Sequence, residues 1–253
     1  MSAVVIAQSR PAGPLPAWQR HAIESVRQWA LAQGYAYRAC GDSLFDPLPA
    51  DLRRRYAGRS AMLADLGRLY WLDSLLEEGA AQVCWLDADS LVIAPEAFTL
   101  SRPEGALFGL EFWLQRDRRG RLQARRNVHN AFMAFRRGDP TLAFYRDCAE
   151  RRLIEADAAR VPPQLVGPKL LTALDNAVGL ALEERAGALS PLVLAELAAG
   201  TDGPARRRLR ARQPGLAVAN LGASLVGRTV DGVRLDADLM ARAVETLLAR
   251  GRL

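Results

Sequence analysis

Lysine is almost absent from this chain. Of 34 basic residues only Lys169 is a lysine, and the other 33 are arginines. Codon usage in a GC-rich bacterial genome is the bland explanation for that excess. With 28 acidic residues the formal net charge is +6, which suits an anionic partner: a nucleotide, an acidic lipid surface or a nucleic acid. Histidine is scarce too, with His21 and His129 alone. Cys40, Cys84 and Cys148 are widely separated. That spacing excludes a cysteine metal site and a disulfide framework, so a reducing cytoplasm is the expected compartment. No apolar run reaches the roughly 18 residues of a membrane-spanning helix. The opening M-S-A-V-V-I-A-Q-S-R lacks the basic start and long apolar stretch of a signal peptide and reads as a first strand.

What is present is ordinary for a soluble globular protein: half the residues are hydrophobic and a quarter charged. There is no internal repeat and no convincing linker. The expected organisation is one domain over residues 1–253, with 200–253 as its C-terminal part. Hydrophobic periodicity predicts strands at 3–8, 35–39, 81–86, 106–114, 130–135 and 215–219. It predicts helices at 18–33, 60–78, from Asp139 with Pro140 at the first helical position, at 169–178 and at 236–250. Residues 41–58 read as a turn-rich connection, D-R-R-G-R at 117–121 as a hairpin turn, and 201–213 as a polar, arginine-rich stretch. Strands alternate with helices, so the class is α/β with a mostly parallel sheet.

The tetrapeptide L-D-A-D occurs twice, at 86–89 and 235–238. The first copy follows an apolar strand, A-A-Q-V-C-W-L, and in open α/β sheets ligands bind beyond the carboxyl ends of strands. Two carboxylates one residue apart there can share Mg²⁺ or Mn²⁺, which take oxygen ligands and retain phosphate oxygens and waters. A plain pair of turn aspartates is the competing reading. The second copy follows V-D-G-V-R and leads into an amphipathic helix. Its aspartates fit helix capping and the positive end of the helix dipole.

The neighbours of the first copy are S-A-M-L-A-D-L-G-R-L-Y-W-L, with Asp65 and Arg68 at i, i+3, then N-V-H-N-A-F-M-A-F-R-R-G-D-P from Asn127 and V-G-P-K-L-L-T-A-L from Val166. This ordered set, over about residues 4–174, resembles the DXD-containing glycosyltransferases of family 32 and their relatives. Those include capsular-polysaccharide and α-mannosyl- or galactosyltransferases and, more distantly, the glucosylating domains of large clostridial toxins. The resemblance implies a GT-A fold, Rossmann-like, with a mostly parallel central sheet flanked by helices. It implies a metal-dependent hexosyltransferase of polysaccharide biosynthesis that takes a sugar from a UDP- or GDP-sugar to a glycan, lipid-linked or protein acceptor, with retention of configuration.

By that resemblance Asp89 ligates Mn²⁺ or Mg²⁺ directly, and Asp87 touches the ribose or the metal shell. Asp65 and Arg68 hold the donor sugar and its phosphate side; alone, they would read as an ion pair on a helix surface. Gln8 and Ser9 lie near the nucleotide. Asn130 and the Gly167-Pro168 turn line the sugar and acceptor side. Departure of the leaving group puts negative charge on a diphosphate, and Arg68 and Lys169 are candidate cations for it. No carboxylate stands out as a general base.

One departure from the family pattern concerns the C-terminal region, which usually carries a histidine followed shortly by Ser-Trp. Here the matching stretch is V-A-N-L-G-A-S-L from Val218. Asn220 takes the place of the histidine as third metal ligand, and Ser224 matches the serine. Rival readings are a degenerate transferase that binds nucleotide-sugar without turnover, and a phosphatase of the haloacid dehalogenase type with Asp87 as nucleophile. No nucleic-acid motif is present. The run A-R-R-R-L-R-A-R from Ala205 is expected to be solvated, or to rest on acidic headgroups at the inner face of the membrane.

Overall fold

The computed structural model describes residues 4–100, 105–162 and 164–253. In chain order the elements are β1 (Val4–Ser9), α1 (Ala17–Ala32), β2 (Ala36–Cys40), α2 (Ala50–Arg55), α3 (Ser60–Glu77), β3 (Gln82–Leu86), β4 (Ser90–Val92), β5 (Leu107–Arg116) and β6 (Leu122–Arg136). There follow α4 (Thr141–Glu155), α5 (Pro168–Val178), β7 (Leu182–Glu183), β8 (Ala186–Ala188), α6 (Pro191–Ala198), α7 (Pro204–Arg212), β9 (Val218–Asn220), β10 (Thr229–Val230), β11 (Val233–Arg234) and α8 (Ala237–Arg250).

The main sheet has the order β2-β1-β3-β6-β5-β7. β1 runs parallel to β2 and β3, and β5 parallel to β7, while β6 runs antiparallel to both its neighbours. Five strands therefore share one direction, and the sheet is the mostly parallel, helix-flanked α/β sheet expected. Alternation sorts its side chains. Val5, Ala7, Val83 and Trp85 face α3, α4 and α5, packing on Leu66, Leu69, Tyr145 and Leu171. Ile6, Cys84 and Leu86 face the other way, onto Val26, Trp29 and Ala30 of α1 and onto Phe98. A third apolar cluster joins α6, α7 and α8 to Leu91, Leu114 and Ala219. There the small sheet β4-β9-β8 pairs the chain after Asp89 with the C-terminal region.

Several expectations shift. Ala3, the start of the expected first strand, lies outside the described residues. Residues 41–58 include α2, and the arginine-rich stretch 201–213 holds helix α7. β6 begins eight residues before the predicted 130, because the residues before Asn130 form a long ribbon with β5. Its hairpin turn has Gly120 at φ +74, where the missing Cβ avoids strain. Pro140 precedes α4 instead of opening it, and Asp139 accepts a hydrogen bond from the Thr141 amide at 2.7 Å. The last predicted strand, 215–219, forms only as β9. Short strands β4, β7, β8, β10 and β11 and helix α6 have too few residues, or too uniform an apolar character, for periodicity to show them.

Candidate active site at the end of β3

The parallel strands β1 and β3 end side by side, and their last residues build one corner of the molecule. Gln8 is fully buried there. Its amide nitrogen donates to the Asp87 carbonyl at 3.1 Å, and its amide oxygen accepts from the Tyr37 hydroxyl at 2.7 Å. Gln8 thus clamps the strand end, with one N–H and its oxygen engaged by the protein. Ser9, at the close of β1, is half-buried and pairs with Cys40.

Period-two alternation carries Asp87 to the same side of the sheet as Trp85. The Asp87 Oδ1 atom accepts from the Trp85 indole nitrogen at 2.6 Å and from Arg68 at 2.8 Å. Its Oδ2 has no partner among the described residues. Arg68 reaches across from α3. It also donates to the Asn130 carbonyl at 2.9 Å and the Ala64 carbonyl at 3.3 Å, and pairs with Asp65 at 2.9 Å. Its guanidinium lies 5.0 Å above the Trp85 ring. Asp65 and Arg68 are 9% and 6% exposed, so theirs is no helix-surface pair. Four of the five Arg68 N–H groups are taken by these protein oxygens, and its closest carboxylate in the strand-end corner is Asp87.

Asn130 donates from its side-chain nitrogen to Asp65 Oδ1 at 2.8 Å. It sits where β6 slips register against β5, between the pairs Phe108–Met133 and Gly109–His129. Such an irregularity re-aims side chains, here toward α3. Gly167 closes over this pair: a Cβ on it would meet Asp65 Oδ2 at 2.9 Å and the Asn130 amide at 3.0 Å. Its glycine is required by close approach. Tyr145, fully buried, holds the preceding residue by donating to the Val166 carbonyl at 2.7 Å. Pro168 opens α5, and Lys169 follows with an exposed side chain.

Asp89 turns toward the C-terminal region. Leu221 donates its amide to the Asp89 carbonyl at 3.0 Å, and the Ala223 amide donates to Oδ2 at 2.5 Å. Asn220 stands beside Asp89, as its sequence position suggested, with a different face forward. Its side-chain nitrogen donates to Asp89 Oδ1 at 2.8 Å, while its oxygen accepts from the Gly222 amide at 3.0 Å. The nitrogen of Asn220, rather than its oxygen, is the atom that meets Asp89. His129 lies elsewhere in the packing: Nδ1 accepts from the Ala131 amide and Nε2 faces the Ala186 carbonyl at 3.1 Å.

The electrostatics follow from burial. Among the described residues, Arg68 is the one basic side chain paired with this group of Asp65, Asp87 and Asp89. Burial pushes the Asp65 pKa up to about 6 against the pull of Arg68 and Asn130. Burial and the neighbouring Asp87 charge push Asp89 up to about 6. Burial opposes the charged form of Arg68, but Asp87 and Asp65 outweigh it and raise its pKa. A water-poor corner with surplus negative charge is a place for a cation. No group of three or more His, Cys, Asp or Glu that could hold a metal occurs among the described residues. The two carboxylates fit Mg²⁺ or Mn²⁺ in the mode that uses one or two side chains and leaves the rest of the shell to phosphate and water.

No protein-family model and no curated protein matches the chain. A solved structure does. A glycosyltransferase involved in the glycosylation of the major capsid of PBCV-1 superposes with a TM-score of 0.49 at 12% identity, over 97% of this chain and 98% of that one. A likeness this slight transfers no role to any residue.

The residues that sequence reading missed are Trp85, Tyr37, Tyr145 and the Ala223 amide. Only Trp85 carried a local signal, standing two residues before Asp87 on the same strand face. The others reach the corner from distant parts of the chain.

Proposed function

We propose that this protein is a glycosyltransferase that moves a hexose from a UDP- or GDP-sugar to a glycan, lipid-linked or protein acceptor, with retention of configuration. The observation that carries the reading is the Arg68 lock. One buried arginine ties Asp65 of α3, Asp87 at the end of β3 and the Asn130 carbonyl of β6 into a single carboxylate corner. Fixing Asp87 through Oδ1 leaves its second oxygen without a partner among the described residues, and the buried Asp89 completes the pair.

Asp87 and Asp89 would hold Mn²⁺ or Mg²⁺, which supplies Lewis-acid neutralisation of charge on a departing diphosphate. The chain's own contributions are positional. Arg68 and Trp85 orient Asp87; Asn220 and the Ala223 amide orient Asp89. Gly167 and Asn130 keep Asp65 beside the sugar-binding side. Lys169, exposed at the start of α5, supplies a mobile cation to the phosphates. Retention requires no strong general base, in keeping with the absence of an obvious one.

Binding of a ligand to the native state raises its apparent stability by mass action. A thermal-shift screen of UDP- and GDP-sugars, with and without Mn²⁺, is expected to show stabilisation only when both are present. A flat response across all donors refutes the reading. The chief alternative is a protein that binds nucleotide-sugar without turnover. It draws on the engagement of both Asp89 oxygens and the inward-turned Asn220 oxygen. Donor-dependent stabilisation with no release of nucleoside diphosphate would favour it.

A further inference from the structure

The β5–β6 ribbon continues past the point where the sheet ends. β3 stops at Leu86, opposite Phe132, and the Asp87 amide still donates to the Ala131 carbonyl at 3.1 Å. From Leu110–Val128 to Arg116–Leu122 the two strands pair only with each other. At about 3.4 Å per residue this ribbon projects roughly 25 Å beyond Asp87, on the edge of the sheet that carries the candidate site. One of its faces is covered: Phe112, Leu114, Leu122 and Ala124 pack on the cluster formed by α6, α7 and α8. Alternation turns Trp113 and Arg125, a cross-strand pair, to the opposite face.

The end of this ribbon is a concentration of arginine. Residues 116–126 hold six arginines and one acid, Asp117. The Asp117 carboxylate is consumed inside the turn by the Arg119 and Arg121 amides and by the side chains of Arg121 and Gln123. Arg118, Arg119 and Arg125 are exposed and have no side-chain partner among the described residues. Five of the arginines, Arg116, Arg118, Arg119, Arg121 and Arg125, line a shallow hollow of about 400 Å³. α7 braces the covered face of the ribbon: Arg208 donates to the Leu122 carbonyl at 3.0 Å, and Arg212 lies 5.8 Å over the Phe112 ring.

We propose that this arginine end of the ribbon docks the protein onto an acidic phospholipid bilayer, with headgroup phosphates seated in the hollow. Guanidinium groups match phosphate in charge and in forked geometry. An indole beside cations on a single face is a combination suited to the membrane–water boundary. A nucleic-acid strand would instead need successive aromatic platforms, and the ribbon offers one tryptophan. The surface needs no donor sugar to act, so it stands or falls separately from the transfer reaction.

Co-sedimentation with vesicles tests it. The protein is expected to pellet with phosphatidylcholine vesicles containing one-third phosphatidylglycerol, to stay in solution with phosphatidylcholine alone, and to be released by high salt. Replacing Arg118, Arg119 and Arg125 together by glutamine is expected to lower the partition coefficient on the order of 100-fold, with melting temperature and UDP-sugar binding unchanged. Should the triple variant be destabilised, Arg119→Gln alone is expected to weaken partition about 5-fold. Equal partition onto both vesicle types overturns the proposal, as does wild-type partition of the folded variants. So does displacement of the protein from acidic vesicles by oligothymidylate at equal phosphate, which would mark a nucleic-acid partner.

Discussion

Leu86–Asp89 and Leu235–Asp238 spell the same four residues, and both begin with a fully buried leucine. Beyond that leucine they part. The first leaves β3, a strand with neighbours on both sides and helices on both faces, so Asp87 and Asp89 emerge into a corner already occupied by Arg68, Asn130 and Asn220. The second leaves β11, a two-residue strand of an isolated hairpin, and Asp236, Ala237 and Asp238 all face solvent. There Asp236 caps α8 by accepting from the Leu239 amide at 2.8 Å, and Asp238 sits in the first turn. Identical residues become a charge-crowded corner in one place and a helix start in the other, because surrounding burial sets the cost of each carboxylate.

The comparison is broken most forcefully at Arg68. Arg68→Ala leaves the buried Asp65 and the half-buried Asp87 without their cation, which is expected to cost about 3–5 kcal/mol. Urea denaturation measures it, and Arg242→Ala, on α8 beside the second copy, serves as the control expected to be near neutral. A loss below that of an exposed ion pair would mean that Asp65 and Asp87 do not depend on Arg68.

Next in size is the pair Asp89→Ala and Asp238→Ala. The first is expected to weaken Mn²⁺-dependent binding of UDP-sugar on the order of 100-fold, and the second to leave it unchanged. Isothermal titration of both variants decides the matter; equal losses would erase the distinction between the copies.

The third test uses pH. Asp65 and Asp89 titrate near 6 in the folded protein, pushed up by burial, against about 3.8 for an unperturbed aspartate. A raised folded-state pKa means that the protonated form favours the fold: the contribution is complete below about pH 4 and fades as pH rises through about 6. Without divalent cation, the stability of the wild type relative to Asp65→Asn is therefore expected to fall over that window, on the order of 2 kcal/mol. Thermal melts of both proteins across the range measure it. A constant difference would mean that burial does not outweigh the pull of Arg68 and Asn130 on Asp65.

The smallest effect belongs to the second copy. Asp236→Ala removes a helix cap and is expected to cost about 1 kcal/mol, lowering the melting temperature by a few degrees without touching donor binding. Any loss of donor affinity would assign the second copy a role in the site.

Local pattern was a good guide where one element sufficed. β1, α1, α3, β3 and α8 match their expected spans to within a residue or two, since their apolar runs or faces are well marked and several end at a clear stop such as Gly34 or Gly79. The reversal of β6 was not legible, because strand direction depends on what lies beside a strand. The short strands and α6 escaped for want of length. Within the corner, the importance of Asp65, Arg68, Asp87, Asp89, Asn130 and Gly167 was suggested by motif order. Their hydrogen-bond partners were not.

By itself the sequence determined which residues are apolar at which period, and hence the alternation of strand and helix, the strand that ends at Asp87 and the helix that starts after Asp236. It also set the surplus of arginine over lysine. Only the tertiary structure decided that Arg68 faces inward, that Asn220 meets Asp89 with its nitrogen, and that Arg208 of α7 meets the Leu122 carbonyl of the ribbon. Those outcomes depend on contacts between residues far apart in the chain. Contacts of that kind are set by packing and by the cost of burying charge, neither of which a single segment carries.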